Sequence, residues 1–187
     1  MHNRAMALEF TTSYLADSIT LLRYYKELGD QAMSQVSDED LTVALDAESN
    51  SIAIIVKHLT GNMRSRWTDF LTSDGEKPDR NRDDEFRAPP QTRTEIQEVW
   101  EASWKIVFEA LVPLTDADLG RTIRIRNERH SVMQAINRQV AHYAYHIGQI
   151  VYIAKHLAFD DWTSLTVPRG KSADYNDRVA SGKASQR

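Results

Sequence analysis

With 187 residues, 41% of them hydrophobic and 27% charged, the chain has the size and composition of one soluble folded domain, which excludes a disordered polymer. A formal net charge of −4 offers no basic surface for nucleic acid, and the absence of cysteine excludes disulfides, thiolate metal sites and a cysteine nucleophile, so any thiol must arrive as a small molecule. No apolar run approaches the roughly 20 residues that cross a bilayer, and Met1-His-Asn-Arg-Ala-Met-Ala-Leu8 lacks a signal-peptide core; a cytoplasmic protein with no membrane partner is expected.

From about Ala7 to Gln35, Leu8, Leu15, Ile19, Leu22, Tyr25 and Leu28 recur at helical spacing and predict an amphipathic helix, with Gly29 a weak point inside it. Ser37 to Leu41 reads as a turn with room for one short helical turn. A second helix is expected from about Asn50 to Leu71, capped by Asn50 or Ser51 and burying Ile52, Ile55, Val56, Leu59, Met63, Trp67 and Phe70. His58 stands at the edge of that stripe, one turn before Asn62. Thr72 to Gln91 has no apolar period and ends in Pro89-Pro90, which is long for a structureless connection. Such a segment can return along the second helix and let the third run parallel to it; a disordered insertion is the alternative.

Thr92 and Glu95 have capping-box spacing and open a third helix to about Val112, where Pro113 ends it. Leu114 to Leu119 reads as a turn. Thr122 to Arg126 alternates polar and apolar residues and predicts a short strand, with Asn127 to His130 turning it back; no good partner strand follows. Ser131 and Gln134 form a second capping box and open a fourth helix to about Leu157, with a core stripe that includes Val132, Ile136, Val140, Tyr143, Ile147, Ile150 and Ala154. The stretch from Phe159 to Arg187 reads as polar and loop-like, anchored by Trp162. Its Pro168-Arg-Gly-Lys-Ser172 run is not a phosphate loop, because Leu165 stands where the first glycine belongs and no strand leads in.

Positions four apart on a helix share a face, with Cβ atoms roughly 5–6 Å apart, so His142 and His146 can grip one ion through neutral ring nitrogens. Set across from His58 they make a three-histidine cluster; three separate interhelical hydrogen bonds are the plainer alternative. His2, His130 and His156 have terminal, capping or solvated positions. Tyr143-Ala-Tyr145 lies between the paired histidines, so the glutamate of a metalloprotease helix is missing, and no Glu-x-x-His pattern supports a di-iron carboxylate site. Three imidazoles leave a divalent ion its full charge and an open position; zinc, nickel and ferrous iron all suit them. Asn62 and Gln149, each about one turn from a candidate ligand, are candidate catalytic residues that can orient a bound water or substrate.

The segments Lys57-His58-Leu-Thr-Gly-Asn62 and His142-x-x-x-His146-x-Gly-Gln149, separated by a long loop and one helix, resemble the DinB-like superfamily of four-helix-bundle metalloenzymes over about residues 8–157. The stretch from Trp162 to Ser172 looks like the ending of one bacterial subgroup of it. The resemblance implies an all-α four-helix bundle with a long crossover between helices 2 and 3, a divalent metal held by His58, His142 and His146, and frequent homodimers. The expected organisation is a bundle domain over 1–165 and a polar tail over 166–187. Members with known activity include transferases and isomerases that use bacillithiol or mycothiol. The reaction expected on this basis is thiol S-transfer, with a small-molecule thiol and an electrophile as partners. A metal-dependent hydrolase and a non-enzymatic, metal-stabilised binding or dimerisation module remain alternatives.

Overall fold

The computed structural model describes residues 13–184, so the expected start of the first helix at Ala7, with Leu8, and the terminal His2 lie outside the described residues. Four long helices begin on a hydroxyl side chain: α1 (Tyr14–Met33) on Ser13, α2 (Ile52–Trp67) on Ser51, α3 (Arg93–Leu111) on Thr92 and α4 (Val132–Ala158) on Ser131. Each hydroxyl accepts a backbone N–H of the first turn, which the helix itself cannot satisfy. Glu95 and Gln134 return the bond to their caps, so both expected capping boxes are formed.

Polar contacts between ends give the helix directions. Tyr14 at the start of α1 donates to Asn137 near the start of α4, and Gln35 just past α1 bonds Thr163 just past α4. These two helices therefore run parallel. Ser13 meets Asp116 beyond α3, while Arg93 at the start of α3 donates to the carbonyls of Met33 and Val36, so α1 and α3 are antiparallel. The segment between α2 and α3 returns along α2: Gly75 lies against Ser65 and Arg66, and farther on the carbonyls of Arg87 and Ala88 accept from Lys57. α3 consequently runs parallel to α2, with the expected crossover between them. α1 packs mainly on α4 and α2 on α3, while α2 also touches α4. Leu22, Leu59, Met63, Trp100, Trp104 and Tyr143 fill the shared interior, and Tyr143 accepts the indole N–H of Trp67 at 2.9 Å.

Three local expectations change. α2 stops at Trp67 rather than Leu71, because Thr68 turns extended and Asp69 takes φ 48°; Phe70 still reaches the core through the turn, its ring 5.2 Å from that of Trp67. Residues expected to turn the strand back instead form its partner: β1 (Thr122–Ile125) pairs antiparallel with β2 (Glu128–Ser131). The turn is Arg126–Asn127, both at positive φ, and the Asp74 carboxylate accepts both of their backbone N–H groups at 2.8 Å. That long-range bond supplies what the sequence lacks locally, since the turn has no glycine. The tail is not entirely loop: α5 (Ser172–Ala180) lies within it, with no buried residue, after Trp162 and Leu165 have packed on the core. The architecture is thus mostly helical, with one small hairpin. No described helix is long and apolar enough to cross a membrane.

Candidate metal centre

Helical spacing puts His142 and His146 on one side of α4, and the packing of α2 on α4 brings His58 against them. One nitrogen from each ring lies within 4.8 Å of the others. The Nε2 atoms of His58 and His142 are 3.3 Å apart. Two nitrogens bound to one zinc at tetrahedral angles, with bonds of about 2.0–2.1 Å, stand about 3.3–3.4 Å apart. The rings meet edge to face, with centroid separations of 4.7 Å between His142 and His146 and 4.8 Å between His58 and His146.

Two of the three rings are oriented by a partner on the far nitrogen. Nδ1 of His58 donates to Glu85 Oε2 at 2.8 Å, and the ring stacks on Phe86 at 4.8 Å. Nδ1 of His146 donates to Gln149 Oε1 at 2.7 Å. Both rings therefore carry their proton on Nδ1 and turn the Nε2 lone pair toward the cluster. Nδ1 of His142 is buried without a partner among the described residues. Burial, then the neighbouring rings of His146 and His58, push the His142 pKa down to about 3; burial, opposed by the Gln149 bond, also lowers that of His146. Neutral imidazoles with converging lone pairs are the form that binds a divalent cation, so the residues present fit a metal.

The same shifts predict an acid sensitivity of the metal-free protein. Unfolded, His142 takes up a proton from about pH 6.5 downward; folded, it does so only near pH 3. The unfolded state thus binds more protons through that window, and stability falls as pH falls. His142 alone contributes a loss of order 1–2 kcal/mol by pH 5. The urea midpoint in chelator is expected to drop between pH 7 and 5, and to drop less in His142→Ala, where His146 is the depressed histidine that remains.

Glu85 and Arg80 carry no signal in the sequence. They sit in the crossover, which has no period to reveal which side chain turns inward; only its length and charge signalled a purpose. Glu85 is buried, and Arg80 grips it from Nε at 2.7 Å and Nη2 at 3.0 Å. Burial raises the Glu85 pKa, but the bonds from His58 and Arg80 and the Arg80 charge outweigh it and hold the carboxyl below its ordinary range. Arg80 and Arg66 also share Glu76, at 3.4 and 2.8 Å.

The two candidate catalytic residues differ in what they touch. Asn62 is buried one turn beyond His58, with Oδ1 free of any partner among the described residues. Gln149 has its carbonyl oxygen committed to His146, and it lines a cavity of about 460 Å³ with Ile55, Tyr145 and Tyr152. Residues 9–171 match the model of a family described as "Protein of unknown function (DUF1572)". No curated protein matches the chain.

Proposed function

The chain belongs to that family, and we propose that it is a divalent-metal-dependent enzyme of the DinB-like type, most of whose chain (1–165) is a four-helix bundle ahead of a polar tail (166–187), and that it transfers a low-molecular-weight thiol of the bacillithiol kind to an electrophile. One observation carries the metal reading: three imidazole nitrogens converge within 4.8 Å, two of the rings aimed by a partner on the far nitrogen. The DinB-like resemblance supports the choice of thiol transfer, and also a homodimer; a cytoplasmic location is proposed with them.

His58, His142 and His146 hold the ion, and zinc, nickel or ferrous iron satisfies them. The bound cation supplies the positive charge that favours the deprotonated, nucleophilic form of a thiol. Asn62 Oδ1, buried and without a partner among the described residues, is an acceptor available to orient a substrate N–H or O–H. Gln149 fixes the His146 ring and also lines the cavity where Tyr145 and Tyr152 offer aromatic surface to an apolar electrophile. Hydrolysis is less well served. The carboxylate that reaches the cluster, Glu85, has both oxygens occupied by His58 and Arg80 and cannot act as a base without breaking a buried ion pair.

The test is elemental analysis of tag-free protein, followed by an assay of the metal-loaded protein with a panel of small thiols and an aromatic halide. Stoichiometric metal and metal-dependent conjugation with one thiol are expected. Full metal occupancy after replacement of all three histidines overturns the site. Metal without conjugation by any thiol overturns the transferase reading.

A further inference from the structure

Glu85 comes from the middle of the crossover, 27 positions from His58, yet its carboxylate meets His58 Nδ1 at 2.8 Å, with both side chains buried. Two features of the chain accommodate it there. Arg80 binds both carboxylate oxygens, the paired geometry that fixes a carboxylate in orientation as well as position. Gly61, one turn of α2 beyond His58, faces the same group: a Cβ at that position would collide with Oε1 and come within 2.7 Å of Cδ. A helix interior ordinarily favours alanine over glycine by roughly 1 kcal/mol, so the missing side chain is explained by the carboxylate that fills its space. Glu76, Arg66 and Arg126 extend the ion-pair network behind Arg80, and Asp74 ties the same segment to the hairpin turn. The crossover is thereby held along α2 over much of its length.

We propose that Glu85 is the positioning residue for His58: its carboxylate keeps the proton on Nδ1 and turns Nε2 toward His142 and His146, with Gly61 and Arg80 as the groups that hold it in place. This rests on the metal reading above. An outer carboxylate of this kind orients the ring and raises its basicity as a ligand, and losing such a partner typically weakens metal binding about 10–100-fold. The other two rings give the contrast, since His146 has a neutral amide behind it and the Nδ1 of His142 has no partner among the described residues.

The experiment measures zinc affinity by competition with a chromophoric chelator for full-length wild type, Glu85→Gln, Gly61→Ala, His58→Ala and the His58→Ala/Glu85→Gln double variant. Glu85→Gln keeps the shape and removes the charge, and Gly61→Ala keeps every polar group and evicts the carboxylate. Each is expected to bind zinc about 10–100-fold more weakly than wild type. In the His58→Ala background Glu85→Gln is expected to cost nothing further, whereas a merely structural role would weaken both backgrounds alike. Affinity within twofold of wild type in Glu85→Gln or Gly61→Ala, or an equal loss in both backgrounds, overturns the proposal. Zinc binding that depends on His58 but ignores Glu85 overturns it alone; wild type that binds no zinc overturns the metal reading with it.

Discussion

Replacing His142 with alanine is expected to abolish the zinc-induced rise in unfolding temperature while leaving the metal-free protein as stable as before, or more so. The ring is half-buried, and its Nδ1 has no partner among the described residues. An unsatisfied buried polar atom costs about 1–3 kcal/mol, and alanine is also the better helix former; together these offset the ring contacts that are lost. Zinc changes the balance. A ligand at a thousand times its Kd stabilises the folded state by about 4 kcal/mol, and with one of three nitrogens gone the affinity is expected to fall by more than the roughly 100-fold upper cost of losing an outer partner. Calorimetric scans of both proteins, in chelator and in zinc, check both halves. A metal-free variant that melts far below wild type would make His142 a structural residue; an undiminished zinc response would remove it from the ligand set. His58→Ala is the less clean version, because it strands Glu85 and Arg80 in the interior.

Trp100→Ala is expected to destabilise the fold by about 3–5 kcal/mol, the usual cost of emptying a fully buried aromatic site. Trp100 is 1% exposed, meets Trp104 edge to face at 5.5 Å, and donates its indole N–H to Asp30 at 2.6 Å. Its ring lies over Gly29: a Cβ there would come within 2.7 Å of Trp100 Cζ2. Gly29→Ala is therefore expected to destabilise wild type even though helix propensity favours it by roughly 1 kcal/mol. In the Trp100→Ala background the same change should turn stabilising, since the collision with the indole is gone and Ile147 Cδ1, 3.3 Å from the added Cβ, has the emptied space to move into. Urea unfolding of the four proteins closes this cycle, and a Gly29→Ala effect of the same sign in both backgrounds would show that the contact does not matter.

The two glycines of the helix interiors show where reading residues in order stops being sufficient. Gly29 reads as a weakness in α1, and Gly61 carries no local signal in the segment after His58. Each is small because something distant in sequence occupies the space: Trp100 in one case, Glu85 in the other. The end of α2 is similar. Apolar spacing continues through Phe70, but the chain leaves the helix at Thr68 and buries Phe70 from a turn instead. The hairpin closes at Arg126–Asn127 because Asp74, some fifty positions earlier, satisfies the backbone there.

What local sequence determines here is the set of interactions that span one or two turns: the caps at Ser51, Thr92 and Ser131, the apolar stripes, and the shared face of His142 and His146. Those depend on spacing, and spacing is written in the chain. Tertiary structure alone decides that His58 meets that face with its Nε2 3.3 Å from that of His142, and that the carboxylate behind it comes from Glu85 of the crossover. The charged crossover carries no period to mark an inward side chain, so the choice falls to packing along α2, where Gly61 leaves room for one carboxylate and Arg80 keeps it ionised.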